Sequence, residues 1–387
     1  MPRHPHAAPS VLAIKGSVYS TLAGRLEHFP GETYPLHVGD TWMEPAEGCR
    51  MEDLRVADLP GLHRYTSVHG MPALVDAVVE RVRARSGVPT ERANVLITAG
   101  GTGGLGAVAG AILAPGDEVL LLAPHWPLIE GIVRSFHGVP VEVDFIGRAD
   151  SAESAIEIVE RQLTSRTAAI YWNTPSNPTG RLIPGPWLEA LAEWARRHDL
   201  WILADEVYED YQFEGAHAYS RPLAPERVFA CHSFSKAYGM AGNRCGYMVG
   251  PAEVMGELMK VSTHTFYSTP TASQVAALRA LGGPGDRWAR AARDQYIETG
   301  RRAARTLGLE PPEGSTFLFF DVSPWLGEDG LFGLLEACAE RGLLLAPGAS
   351  FGPYPTHARL CYTAVDPERT QRGVELLASI LGTRRRR

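Results

Sequence analysis

The reactive residue types of this chain are densest in Ser233-Phe-Ser-Lys-Ala-Tyr-Gly-Met-Ala-Gly-Asn-Arg244. A strand-like run, Arg227-Val-Phe-Ala-Cys-His, leads to Lys236, which two hydroxyls, Ser233 and Ser235, closely precede. Two glycines, Gly239 and Gly242, and then Arg244 follow. A lysine amine condenses with a carbonyl. Nearby hydroxyls and a guanidinium suit a phosphate dianion. The segment therefore asks for a ligand that carries both an aldehyde and a phosphate.

Two further segments narrow the ligand. Asp205-Glu-Val-Tyr208 closes the apolar run Leu200-Trp-Ile-Leu-Ala, and Asn173-Thr-Pro-Ser-Asn-Pro-Thr-Gly180 directly follows Ala168-Ala-Ile-Tyr-Trp. Pyridoxal 5′-phosphate (PLP) is a phosphorylated aldehyde whose ring nitrogen must stay protonated, and an aspartate is the partner that keeps it so. Asp205 takes that role, while Tyr208 and Asn177 are placed to donate to the ring's phenolate oxygen. Singly, each piece has a bland reading: a solvated lysine, a turn or helix cap at Asp205, a plain turn at Asn-Pro-Thr-Gly. Their joint occurrence in this order, each at the end of a strand-like run, favours the cofactor. Lys236, Asp205 and Tyr208 are the expected catalytic residues.

Over these three segments the chain resembles the class I/II aminotransferases of the aspartate aminotransferase superfamily, PLP enzymes of fold type I. The likeness extends to Gly39 in Val-Gly-Asp, Tyr65 in Arg-Tyr-Thr, and Pro347-Gly-Ala-Ser-Phe-Gly352 followed by Arg359-Leu-Cys-Tyr. It implies that Gly100, Gly101 and Thr102 carry the cofactor phosphate together with Ser233, Ser235 and Arg244. Trp126 occupies the position of the ring that stacks on the pyridine. Arg359 is expected to hold the substrate carboxylate through its planar fork, beside Gly39 and Asn177. Tyr65, joined by Thr269, is expected to reach the cofactor of a neighbouring subunit, which implies a homodimer with shared active sites. The implied reaction moves an amino group between an amino acid and a 2-oxo acid. A PLP lyase or oxidase on the same scaffold stays open, as does a non-catalytic PLP-sensing regulator, although no room exists for an appended DNA-binding domain ahead of Val38-Gly39.

The motifs leave the substrate side chain less defined. An acid-selective branch of the family has a lysine where this chain has Thr102. Trp42, Met43, Phe266 and Tyr267 lie in segments that the resemblance puts near the substrate mouth. Both features favour a neutral apolar or aromatic donor. Asp40 is the exception, either capping a turn or attracting a cationic side chain.

A competing motif is Gly101-Thr-Gly-Gly-Leu-Gly106, which follows the strand-like Asn94–Thr98 and opens a helix, the context of a dinucleotide fingerprint. An NAD-dependent oxidoreductase is therefore the distant alternative. The next strand should end in an acid for the ribose hydroxyls, but it ends Leu122-Ala-Pro-His-Trp126. The same physics serves another phosphate: helix N-terminal N–H groups bind anions, and glycines permit close approach.

The elements that must position these residues alternate. Strand-like runs begin at Asn94, Glu118, Val139, Ala168, Trp201 and Arg227, with helical stretches such as Pro186–Arg197 between several of them. This pattern predicts an α/β domain with a mostly parallel sheet, and ligands at the carboxyl ends of its strands. The resemblance implies seven strands. A composition shift at Leu281-Gly-Gly-Pro-Gly285 precedes the helical Asp286–Leu307, strand-like Ser315–Asp321 and Leu343-Leu-Leu, and helical Gly330–Arg341 and Pro367–Leu381. These form an expected smaller α+β domain that the N-terminal segment rejoins, giving 46–280 as the large domain and 1–45 with 281–387 as the small one.

At 387 residues, with 45% hydrophobic and 21% charged side chains, the chain is an ordinary two-domain globular protein. Its net charge of −7 argues against nucleic acid as main partner. No apolar stretch is long enough to span a membrane, and Met1-Pro-Arg-His-Pro-His lacks an apolar signal core. Five cysteines without metal-ligand spacing fit reduced thiols in the cytoplasm and no metal site. Cys231 and Cys245 flank the lysine segment, and packing is favoured over a nucleophilic role for both.

Overall fold

The structure, a computed structural model, describes residues 7–14, 16 and 22–384. Its larger sheet contains β1 (Val95–Thr98), β2 (Glu118–Ala123), β3 (Val139–Asp144), β4 (Thr167–Asn173), β5 (Trp201–Asp205), β6 (Val228–Ser233) and β7 (Gly246–Val249). They lie in the order β1-β7-β6-β5-β4-β2-β3, and β7 alone runs antiparallel to its neighbours. Six of these strands coincide with the runs expected from the sequence. The remaining one, β7, is four residues long and directly follows the lysine loop.

Strand alternation divides the side chains between two buried faces. On one face Leu96, Val119, Leu121, Tyr171, Leu203, Phe229, Cys231 and Met248 pack with Leu105 and Val108 of the helix Gly100–Ile112. On the other, Val95, Ile97, Tyr247 and Val249 pack under Leu74, Val75, Val78 and Val82 of the helix Pro72–Ser86. Farther along that face Leu120, Ile170, Trp172, Ile202 and Val228 pack under Leu188 and Leu191 of Gly185–Arg197. Burial on both faces explains why these strands read as continuous apolar runs.

The smaller sheet is antiparallel: β8 (Phe317–Asp321), β9 (Ala346–Pro347) and β10 (His357–Cys361), in the order β8-β10-β9. The expected strand at Leu343-Leu-Leu is displaced. Leu343 makes an isolated bridge to Tyr34, and ladder pairing begins only at Ala346. Helices Gly330–Ala339 and Pro367–Arg384 cover this sheet. Leu22 and Leu36 share their core, and Leu36 accepts from the Cys361 amide at 2.8 Å. The helix Gly283–Leu307 links the two cores, with Ala289 in one and Ala292, Tyr296 and Ala303 in the other. No helix among the described residues is long and apolar enough to cross a membrane.

Candidate active site

The carboxyl ends of β4, β5 and β6 open into a cavity of about 270 Å³ between the larger sheet and β10. Gly39, Gly101, Thr102, Trp126, Asn177, Asp205, Tyr208, Ser233, Ser235, Lys236, Arg244 and Arg359 all line it. Residues chosen from seven separate segments thus meet around one space.

Lys236 sits in the short helical turn Phe234–Ala237 just after β6, capped by the Ser233 hydroxyl, which accepts from the Ser235 amide at 3.1 Å. Its Nζ donates to the Gly39 carbonyl, and the Tyr211 hydroxyl donates to its own carbonyl at 2.6 Å. Burial pushes the ammonium below its ordinary value. Arg359 and Arg244 push the same way, against Asp40 and Cys361. Such an amine is easier to deprotonate than an exposed lysine, as a nucleophile or base requires.

Asp205 ends β5 and is buried. Burial raises its carboxyl to about 6 despite the Tyr171 hydroxyl, which donates to Oδ2 at 2.8 Å. Tyr171 was not anticipated. Neither was Asn173, whose Nδ2 donates to the Asp205 carbonyl at 2.8 Å while its Oδ1 accepts from the Asn177 amide at 2.6 Å. Asn173 therefore ties the ends of β4 and β5 to the turn that carries Asn177. Both residues lie in what reads as an apolar strand. Only the register, Asn173 opposite Asp205, brings their polar groups to the site.

Arg359 on β10 is buried with its guanidinium between two rings, 4.3 Å from the Phe317 centroid and 4.8 Å from that of Phe351. Nη1 donates to Asn177 Oδ1 at 2.9 Å and Nη2 to the His37 carbonyl at 2.5 Å. The rings hold the fork in one plane. With Oδ1 engaged, the Asn177 amide has its NH₂ end to offer. Burial and the Arg359 charge lower the His37 imidazole to about 4, so it stays neutral.

The glycine turn is tightly built. Gly100 opens its helix at φ +71°, and a Cβ there would lie 2.5 Å from Arg244 Nη2. A Cβ on Gly246 would lie 2.6 Å from the His232 carbonyl oxygen and 3.0 Å from the Gly100 carbonyl carbon. Arg244, itself at φ +52°, is thereby brought beside the helix N-terminus. Ser233 Oγ donates to Ser235 Oγ at 2.9 Å near the same end of the cavity.

Tyr65 and Thr269, expected to serve a neighbouring subunit's site, do not line this chain's own cavity. Tyr65 is 84% exposed and outside the cavity, with its ring edge-on to Tyr267 at 4.8 Å. Thr269 is buried away from the lining. Trp42, Met43, Phe266 and Tyr267 do not line the cavity either; its apolar wall is Leu105, Pro127, Leu128, Val207, Ala346 and Phe351. Asp40 turns its carboxylate to the Thr41 amide at 2.8 Å, as a turn cap does. Burial raises the Cys231 thiol well above its ordinary value and the Cys245 thiol to about 12, which suits packing rather than nucleophilic attack.

The dinucleotide alternative fails on topology. The strands flanking the glycine-rich helix, β1 and β2, are separated by β7, β6, β5 and β4, whereas a βαβ nucleotide fold keeps its first two strands adjacent. The sequence model of the aminotransferase class I and II family matches residues 37–377. The chain belongs to that family. It is 33% identical over 344 residues to an aspartate/prephenate aminotransferase of Thermus thermophilus, covering 86% of each chain. It is 35% identical over 321 residues to an arginine–pyruvate transaminase of Pseudomonas aeruginosa, covering 78% of each. The structure of Thermus thermophilus aspartate aminotransferase with maleate superposes with a TM-score of 0.89 at 30% identity, covering 97% of this chain and all of that one. The protein is an aminotransferase of fold type I.

Proposed function

We propose that this aminotransferase binds PLP in the cavity and transfers an amino group between an amino acid with a neutral side chain and a 2-oxo acid. The observation that carries the reading is the pairing of Lys236, an amine made less basic by burial, with Asp205, a fully buried carboxylate. Asp205 has no ion-pair partner among the described residues; its bonds come from the Tyr171 hydroxyl and the Val207 amide. A buried carboxylate is costly without a cation, and a protonated pyridine nitrogen is one.

The donor set fits the rest of the cofactor. The amide end of the helix at Gly100, Gly101 and Thr102, with Ser233, Ser235 and Arg244, suits the phosphate. Tyr208 and the Asn177 NH₂ suit the phenolate oxygen, and Trp126 flanks the ring. When bound, PLP supplies an electron sink for a carbanion at the substrate's α-carbon. The chain's own residues do the remainder. Arg359 holds the substrate carboxylate in its two-pronged fork. Lys236 Nζ would be the amine that holds the cofactor's aldehyde and, when free of it, the base positioned to take the α-proton. Asp205 keeps a proton on the ring nitrogen.

The donor's side chain is read from the charges left over. Arg244 belongs to the phosphate and Arg359 to the α-carboxylate, and no other arginine or lysine except Lys236 is among the cavity-lining residues. The Thermus relative is named for acidic or prephenate substrates and the Pseudomonas relative for arginine. The apolar wall of this cavity favours a neutral side chain over either charge.

The exposure of Tyr65 supports a homodimer with shared sites, in which this ring reaches the partner's cofactor. The core that joins Leu22 and Leu36 to the C-terminal helices supports the division into 46–280 and 1–45 with 281–387. All five cysteines are free and buried, which supports a reducing, cytoplasmic setting. With the net charge of −7, it speaks for small molecules rather than nucleic acid or membrane as partners.

The test is a first-half-reaction screen with PLP-loaded enzyme and single amino acids, following the cofactor's absorption. Keto acid without ammonia is expected, with phenylalanine, leucine or alanine faster than aspartate. A clear win for aspartate refutes the neutral donor; a win for arginine transfers the specificity to Asp40. Protein that takes up no PLP refutes the cofactor reading.

A further inference from the structure

Strand alternation gives this site a second, charged side. Asp205 and Glu206 are consecutive, as are His232 and Ser233, so Asp205 and Ser233 enter the cavity while Glu206 and His232 emerge on the opposite face. Asp205 lies opposite Cys231 in the ladder, the Glu206 amide donates to the Cys231 carbonyl at 2.9 Å, and His232 lies opposite Tyr247. The result is a row behind the site: Glu206, His232 and Tyr247, with the His232 and Tyr247 rings stacked at 4.8 Å.

This row is buried and ionic. His232 Nδ1 lies 3.2 Å from Glu209 Oε1, and Nε2 lies 3.7 Å from Glu206 Oε2. Glu206 is fully buried; its Oε1 accepts from the Ser220 amide at 2.7 Å and lies 3.8 Å from His217 Nε2. Glu209 accepts from the Tyr219 hydroxyl at 2.7 Å and the Tyr247 hydroxyl at 3.5 Å. From the covering helix, Arg85 reaches Glu209 at 3.2 Å and Asp210 at 2.7 Å. Arg81 reaches Asp210 at 2.9 Å and, more distantly, Asp286 at 3.8 Å. Arg221 closes the cluster, donating to the Gly250 carbonyl at 3.1 Å. The remaining void is about 10 Å³, room for one water at most.

We propose that His232, held as an imidazolium between Glu206 and Glu209, is a positioning and charge-setting residue for the active site on the other face of the sheet. Its positive charge and the opposing charge of Glu206 together set the proton affinity of the groups around the bound cofactor. This rests on the cofactor reading given above. Two links connect the cluster to the site. Glu206 and His232 are each bonded in sequence to a cavity residue. The turn that holds Glu209 and Asp210 also holds Tyr208, which lines the cavity, and Tyr211, whose hydroxyl fixes the Lys236 carbonyl. The titration directions agree: burial lowers His232, but Glu209 and Glu206 outweigh it and raise the imidazole above its ordinary value. Burial likewise raises Glu209, but His232, Arg85 and Arg81 hold it well below the usual carboxylate range.

A charge acting through the sheet has a sign that packing damage does not. Removing a cation near a titrating group raises its pKa, and removing an anion lowers it. The test compares His232→Gln and Glu206→Gln in the PLP-loaded enzyme, reading the pH midpoint of the cofactor's visible spectral transition. Across a sheet, about 10 Å away, one charge shifts such a midpoint by roughly half a unit to one unit. His232→Gln is expected to move it up and Glu206→Gln to move it down. Shifts in the same direction, or two folded and PLP-loaded variants with the wild-type midpoint, overturn the proposal. If His232→Gln does not fold, Arg85→Gln takes its place, with an upward shift expected and a downward one refuting. A wild-type protein with no such chromophore fails the cofactor reading itself, which separates the two failures.

Discussion

Replacing Asp205 with asparagine should make the cofactor-free protein more stable while disabling it. Burial raises this carboxyl from its ordinary 3.8 to about 6, so the fold favours the protonated form. At about 1.4 kcal/mol per pH unit, holding it ionised costs the cofactor-free fold about 3 kcal/mol. The sign follows from linkage. Because the folded value lies above the unfolded one, the contribution of this group to stability is complete below pH 4. It is lost as pH rises through 6. Asparagine keeps an acceptor for the Tyr171 hydroxyl and never ionises, so it avoids the loss. At pH 7.5 cofactor-free Asp205→Asn should therefore exceed the wild type by about 3 kcal/mol, roughly 4 °C in Tm for a chain of 387 residues.

The assay is thermal unfolding of both cofactor-free proteins at one concentration and at several pH values between 4 and 8. The gap should close as pH falls through 6 toward 4. With PLP added the order should reverse at pH 7.5, since only the carboxylate gains a cationic partner. The first half-reaction of the variant should be slower by about two orders of magnitude or more. Equal or lower stability of the variant at pH 7.5 without cofactor, or a gap that does not change with pH, refutes the reasoning.

Lys236→Ala should abolish borohydride-fixed attachment of the cofactor, read by mass spectrometry, and lower turnover by about a thousandfold or more. Arg359→Lys keeps the charge but loses the fork between Phe317 and Phe351; KM for both substrates should rise about 10- to 100-fold with the resting spectrum unchanged. Tyr171→Phe removes a bond that lowers the Asp205 carboxyl. The acid limb of PLP retention, measured as Kd against pH, should therefore move up by about one unit.

Most of the site was legible because its residues stand where apolar runs stop. Asn177, Asp205 and Lys236 each follow a strand that is buried on both faces, and such strands announce themselves by composition. What stayed hidden depends on register and on distant pairing. Tyr171 reads as one more core aromatic until β4 is set beside β5, two residues out of step with Asp205. The rings around Arg359 come from segments far apart in the chain, and nothing local links Phe317 to Phe351. β7 escaped because Gly-Tyr-Met-Val is four residues long and abuts the lysine loop. The mouth residues Trp42, Met43, Phe266 and Tyr267 were carried over from resemblance alone, and the cavity wall is built from others.

The charges around the cavity form a consistent set only when its ligands are included. Lys236, Arg244 and Arg359 face it against the single carboxylate of Asp205. A phosphate dianion and one substrate carboxylate bring three negative charges against Arg244, Arg359 and a protonated Lys236, and a protonated ring nitrogen answers Asp205. The cavity then holds no uncompensated charge, which a low-dielectric site requires. A second carboxylate on the substrate would enter without a partner from this chain, and burying it unpaired is unfavourable by several kcal/mol. Thr102, exposed at the rim and uncharged, offers it one hydroxyl. On the proposed reading each cation is committed before the side chain arrives, so the same inventory that disfavours an ionised Asp205 without a cationic partner would also favour a neutral donor.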